Sequence, residues 1–121
     1  YPSGPNSVAV IPPPEAIWRP IENFEPGTYG NFLTRLIFAM RERRAFATSW
    51  FRDPLQNRNV GGHPESQHLL GLAVDLVTDE PQLAVTALTG LGLTAFNEAT
   101  HVHVQYWPAG IAGRLVRALY S

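Results

Sequence analysis

The sequence predicts an α+β domain built on a small, largely antiparallel sheet with flanking helices. Apolar residues recur at helical spacing near residue 30 and again near the C-terminus, while the runs between them are short and strand-like. The resulting order is helix, strand, long loop, strand, helix, strand, strand, helix, with no internal repeat. At 121 residues the chain has room for one modest core and no second domain.

Residues 1–27 hold seven of the eleven prolines, including Pro12, Pro13 and Pro14. Proline removes a backbone donor and fixes φ, so this stretch reads as an extended N-terminal arm, neither helix nor central strand. Ile17, Trp18 and Ile21 are the residues expected to pin its later part to the core. The domain proper is expected to span residues 28–121. Within it, Phe32, Leu33, Leu36, Ile37 and Met40 form an apolar stripe on a helix over 28–43. A strand over 45–51 follows. Residues 52–67 then read as a long loop rich in Asn, Gly and Pro, the kind of segment that often carries function.

Leu72 to Thr78 reads as a buried strand. A helix over 80–88 has Asp79 as candidate N-cap and Pro81 near its first position, and Gly90 and Gly92 end it. Strands over 93–97 and 101–107 are joined by a tight connection at residues 98–100. An amphipathic helix over 110–120 closes the chain.

Composition excludes several classes of function. The formal net charge is -1 and all nine basic residues are arginines, which leaves no basic footprint for nucleic acid and no polybasic membrane patch. The absence of cysteine excludes disulfides, thiolate metal sites and a cysteine nucleophile. No apolar run approaches the roughly 20 residues of a membrane-spanning helix, so membrane insertion is not expected. The chain begins with Tyr1 rather than Met, which fits removal of an N-terminal segment. A monomer is expected.

Four positions carry candidate chemistry. Asp75 is the only charged residue between Leu69 and Thr78. A carboxylate within a buried strand is costly unless it is paired, caps a backbone group or binds a metal. In His101-Val102-His103-Val104-Gln105-Tyr106-Trp107, period-two alternation puts His101, His103, Gln105 and Trp107 on one face. Either histidine could ligate a metal from that face. His68 closes the long loop immediately before the buried strand. Two imidazoles and a carboxylate suit zinc, and three protein ligands leave a fourth position for water, as catalytic zinc sites do.

Ser66-Gln67-His68-Leu69-Leu70-Gly71-Leu72-Ala73-Val74-Asp75 resembles the S-x-H-x-x-G-x-A-x-D motif of the D-alanyl-D-alanine carboxypeptidase family of zinc peptidases. His101-Val102-His103 resembles that family's H-x-H. Thr48 to Arg52 and Asn59 to Gly62 are similar to the segment that precedes the first motif. The wider superfamily includes phage endolysins, murein endopeptidases and the zinc-bearing domain of hedgehog proteins.

The resemblance implies a hedgehog/DD-peptidase-like fold and one zinc ion held by His68, Asp75 and His103. It implies that His101 stabilises charge beside the metal, that Arg52 contacts substrate, and that Ser66 orders the motif loop or contacts substrate. Family members place an acidic general base shortly before the last ligand, often three positions before it. That position is Thr100 here, and the nearest acid is Glu98, five residues before His103. The implied function is hydrolysis of peptidoglycan peptides, carboxypeptidase-like or endopeptidase- and endolysin-like, outside the cytoplasm or associated with a phage. If Glu98 is only a turn residue, the implied alternative is a zinc-containing wall- or peptide-binding module with little turnover. His63, next to Pro64, is expected to be solvated.

Overall fold

The computed structural model describes residues 10–121 of the chain. Its elements are α1 (Glu15–Phe24), α2 (Thr28–Arg43), β1 (Phe46–Ser49), α3 (Pro54–Asn59), a 3-10 turn (Gln67–Leu70), β2 (Ala73–Val77), α4 (Pro81–Gly90), β3 (Thr94–Asn97), β4 (Val102–Gln105) and α5 (Gly113–Tyr120). The four strands form one sheet in the order β1-β2-β4-β3, with every neighbouring pair antiparallel. The predicted α+β class and antiparallel sheet hold.

The sheet has two unlike faces, and the alternation of β2 and β4 explains why. Val74, Leu76, Val102 and Val104 point to one side and join Phe32, Leu36, Leu70, Leu72 and Leu88 in the core. Helices α2 and α4 pack together over that apolar side. Asp75, His103 and Gln105 point to the other side. Residues paired directly across strands lie on the same face. The register aligns Ser49, Asp75, His103 and Phe96 in one row across all four strands.

A bulge sets that row. Ala47 pairs with Leu76, yet Ser49 rather than Thr48 pairs with Asp75. The extra residue, Thr48, hydrogen-bonds through its hydroxyl to the Asp75 carbonyl at 3.3 Å. Without the bulge, Ser49 would face Val74 instead; bulges commonly re-aim side chains in this way next to sites.

Two expectations about the N-terminal half need correction. Residues 15–24 form a helix, although the proline-dense stretch 1–27 was expected to contain none. Pro12 to Pro14 precede the helix, and only Pro20 lies inside it. Ile17 and Ile21, four residues apart, are both buried and supply the apolar stripe; Trp18 is exposed. The part of the arm before residue 10 lies outside the described residues. The loop 52–67 also contains structure. Asp53 Oδ1 accepts from the Gln56 N–H at 2.8 Å, and the Asp53 N–H donates to Gln56 Oε1 at 3.1 Å. This reciprocal capping box, with Pro54 at the first position, starts α3. At α4, Pro81 opens the helix as expected, but the N-cap is Glu80 rather than Asp79, with no side-chain cap bond.

The 3-10 turn carrying His68 is braced from both ends of the chain. Tyr29 of α2 donates its hydroxyl to the Leu70 carbonyl, and Tyr120 of α5 donates to the Leu69 carbonyl, each at 2.7 Å. Burial, followed by the charge of Asp53, pushes the Tyr120 phenol up to about 12, so it remains a donor at neutral pH. Gly71 ends the turn at φ +70°, and a Cβ there would lie 2.4 Å from Pro13 Cγ. The glycine thus serves a left-handed cap and a close approach of the N-terminal arm.

Candidate metal centre

Seven polar or charged residues are buried among those described; Gln67, His68, Asp75 and Gln105 line one cleft, and Ser49 and Asn57 meet Arg52, which also lines it. Buried polar groups are costly unless bonded, and each of these six is bonded within a single network.

Asp75 lies at its centre. Its Oδ2 accepts from Arg52 Nη2 at 2.6 Å. Its Oδ1 lies 3.1 Å from His68 Nε2 and 3.3 Å from His103 Nδ1. Burial alone would raise the Asp75 carboxyl. Where His103 and His68 carry a proton on the facing nitrogen, their hydrogen bonds, then the charges of His68 and Arg52, outweigh burial and hold the carboxyl well below the ordinary range.

The far side of each imidazole is also engaged. His68 Nδ1 lies 2.6 Å from the Trp50 carbonyl, an acceptor that requires a proton on Nδ1. The Ser66 hydroxyl accepts from the His68 N–H at 3.1 Å and starts the turn that aims the ring. His103 Nε2 lies 2.7 Å from Gln105 Oε1. In neutral rings with those protons, the lone pairs of His68 Nε2 and His103 Nδ1 face Asp75 Oδ1. Two lone pairs and an anionic oxygen then converge with no proton among them.

That donor set fits a divalent cation. One ligand atom from each of His68, Asp75 and His103 lies within 4.8 Å of the others. Tetrahedral zinc with bonds of about 2.0–2.2 Å spaces its ligand atoms by roughly 3.3–3.5 Å, close to the two Asp75 separations. Each imidazole donates its other N–H outward, the usual support for a ligating histidine.

The remaining predicted residues fall around this cluster. His101 is half-buried, with Nε2 3.7 Å from Asp75 Oδ1 and 4.0 Å from Glu98 Oε1. Glu98 is exposed and stands at the mouth of the β3–β4 hairpin, where its N–H donates to the His101 carbonyl at 2.9 Å. Arg52 reaches in from the segment after β1. Besides Asp75, its Nε donates to Ser49 Oγ at 3.1 Å and its Nη1 lies 3.4 Å from Asn57 Oδ1. His68, Asp75, His103, His101, Glu98 and Arg52, with Ser66 and exposed His63, line one cleft of about 780 Å³. Gly62 shapes its wall, since a Cβ there would lie 2.0 Å from Asn57 Oδ1.

Sequence reading passed over Gln67, Asn57 and Ser49 as site residues and placed Gln105 on the site face without a role. Gln105 was detectable from the alternation that selects His101 and His103. The others act through tertiary contacts that local pattern does not encode.

A family model described as Peptidase M15 matches residues 37–104. No curated protein and no solved structure matches the chain. The matched segment runs from within α2 to β4 and contains the whole cluster. Peptidases of this family depend on zinc. More than half of the chain is matched, and the chain therefore belongs to the peptidase M15 family of zinc D-alanyl-D-alanine carboxypeptidase-type metallopeptidases.

Proposed function

We propose that this chain hydrolyses peptide bonds in bacterial peptidoglycan with one zinc ion held by His68, Asp75 and His103. The observation that carries the reading is the convergence of two imidazole lone pairs on Asp75 Oδ1 within a cleft that also holds a carboxylate and a third imidazole. Residues 28–121 are read as the peptidase domain and 1–27 as its arm.

When bound, zinc would supply an acidified water and polarise the scissile carbonyl. The chain's own residues complete the chemistry. Glu98 takes the proton of the attacking water and returns it to the leaving amine, as a general base and then a general acid. His101, beside both Asp75 and Glu98, donates to the oxygen that becomes negative. Arg52 lines the cleft and presents guanidinium N–H groups to a substrate oxygen. Ser66 holds the His68 turn and borders the substrate path. Both a carboxypeptidase-like cut at the peptide terminus and an endopeptidase cut within the stem or cross-link fit an open cleft.

One feature supports a second reading, a zinc-containing peptide- or wall-binding module with little turnover. Glu98 is exposed, and its Oε1 stands 4.0 Å from His101 Nε2. Digestion of purified peptidoglycan with mass analysis of the products separates the two. Hydrolysis that chelator abolishes and zinc restores, and that Glu98→Gln lowers by about 10²–10⁴-fold at unchanged zinc content, is expected. Intact substrate with a fully zinc-loaded chain would favour the binding module.

A further inference from the structure

His101 immediately precedes β4 and His103 lies on it, and both rings face Asp75, so strand geometry alone does not choose between them as ligands. Their surroundings do. His101 Nδ1 meets the Thr100 hydroxyl at 2.9 Å. A hydroxyl donates or accepts with equal ease, so this contact leaves the His101 tautomer free. His103 meets the side-chain amide of Gln105 instead, and the orientation of that amide is fixed. Gln105 Nε2 donates to the Trp107 carbonyl at 2.9 Å, a contact only the NH₂ end of the amide can make. Its Oε1 is thereby turned toward His103 Nε2 at 2.7 Å.

The Trp107 backbone is itself clasped. Gln67 Nε2 donates to the Trp107 carbonyl at 2.7 Å, and the Trp107 N–H donates to Gln67 Oε1 at 3.0 Å. Gln67 and Gln105 are 4% and 8% exposed, so water competes little for these bonds. Gln67 immediately precedes His68. One buried network therefore runs from the turn that carries His68, through the Trp107 backbone and Gln105, to His103.

We infer that Gln105 is a positioning residue that selects His103 as the ligand on β4 and makes it bind through Nδ1, by accepting the Nε2 proton from an amide locked on Trp107. This rests on the zinc reading above. It has a consequence for the tautomers: His68 ligates through Nε2 and His103 through Nδ1, an unlike pair.

The test uses the full chain with ¹⁵N-labelled histidine, loaded with zinc alone. Nitrogen–proton correlation spectra of the unsubstituted protein should show His103 with a proton on Nε2 and metal on Nδ1. Metal on His103 Nε2 overturns the inference without any variant. Gln105→Met keeps the length of the side chain but neither bond. It should lower zinc affinity by about 10–100-fold in a chelator competition, and His103 should show a mixture of tautomers. Gln105→Glu keeps an acceptor for His103, strengthened by its charge, and replaces the donor to Trp107 by an oxygen that must turn away from that carbonyl, which retains Gln67. It should restore most of the affinity and the single tautomer, which a purely structural role for Gln105 would not predict. Equal zinc affinity and an unchanged tautomer in Gln105→Met overturn the positioning role alone. An unsubstituted chain that takes up no zinc overturns the metal reading beneath it.

Discussion

Arg52 Nη2 and Asp75 Oδ2 form an ion pair 2.6 Å apart, with side chains only 12% and 8% exposed. The pair divides the work of one carboxylate. Oδ2 is neutralised by the guanidinium, and Oδ1 is left to face His68 and His103. The geometry reaches beyond this contact, because Arg52 is itself held by Ser49, the residue that the β1 bulge brings opposite Asp75.

Removal of Arg52 should therefore destabilise the metal-free protein. Deleting one partner of a buried pair leaves an uncompensated charge and costs about 3–5 kcal/mol. Arg52→Ala is expected to lose that much in urea denaturation of chelator-treated protein. The loss should be smaller with zinc present, since the metal then offsets the Asp75 charge. Equal loss with and without zinc would mean that Arg52 acts on the fold rather than on the carboxylate.

Gly71 and Gly61 offer a controlled comparison of backbone strain with crowding. Both have positive φ, +70° and +74°, but only at Gly71 would a Cβ meet other atoms, those of Pro13. A left-handed alanine costs about 1–2 kcal/mol. Gly61→Ala should show roughly that loss by thermal or chemical unfolding. Gly71→Ala should exceed it by about 1–3 kcal/mol, the usual cost of overpacking. If the two variants unfold alike, Pro13 is not held against the turn.

Asp75 and the His101–His103 pair were legible because their signals are local: a lone carboxylate in an apolar strand, and alternation that survives into the fold; His68 stood out only as part of the S-x-H-x-x-G-x-A-x-D resemblance. The helix 28–43 was legible because apolar residues recur at spacings of three and four from Phe32 to Met40. Helix α1 was not, because proline density hid two facts: five of the seven prolines of residues 1–27 precede the helix in sequence, and the Ile17–Ile21 spacing fits one buried face. Helix α3 carried its own signal in the Asp53 to Gln56 capping box, masked by the surrounding loop composition. The bulge at Thr48, the Gln67 clasp on Trp107 and the hydroxyl braces from Tyr29 and Tyr120 depend on contacts across 27 to 51 residues of chain. No local pattern encodes such contacts.

Zinc affinity should fall with acid, and the two histidines should enter at different pH. Ligation needs both rings neutral. Burial disfavours the charged form of His103, but hydrogen bonds to Asp75 and Gln105, with the charges of Asp75 and Glu98, outweigh it and raise His103 above the ordinary value. At His68 burial prevails over the Asp75 hydrogen bond, and the ring lies below the ordinary value. As pH falls, the proton therefore competes with zinc first at His103, beginning above about 6.5, and at His68 only below it. Competition titrations should give a slope of about one in log affinity against pH near neutrality, steepening at lower pH. For the metal-free fold the sign at His103 is opposite. Its raised value stabilises the folded chain below about 6.5 and the benefit is lost as pH rises through the folded value. A slope near two already at pH 7.5 would refute the assignment of unlike environments.

The hairpin that carries Glu98 and His101 turns through Ala99, at φ +67°. Alanine pays a steric penalty of about 1–2 kcal/mol in that region, whereas asparagine tolerates it through local hydrogen bonding. The turn is held by the Glu98 N–H on the His101 carbonyl at 2.9 Å and the Thr100 N–H on the Glu98 carbonyl at 2.7 Å. Neither bond involves the Ala99 side chain, which is exposed. Ala99→Asn should thus relieve strain without moving Glu98. A gain of about 0.5–1 kcal/mol is expected, which for a chain of this size raises Tm by about 2–5 °C. Zinc content and peptidoglycan hydrolysis should stay as they are. Ala99→Val should move Tm the other way, because a β-branched side chain is poorly accommodated at positive φ. If asparagine lowers Tm, or valine leaves it unchanged, the turn does not hold residue 99 in the left-handed region. The placement of Glu98 beside His101 would then need another cause.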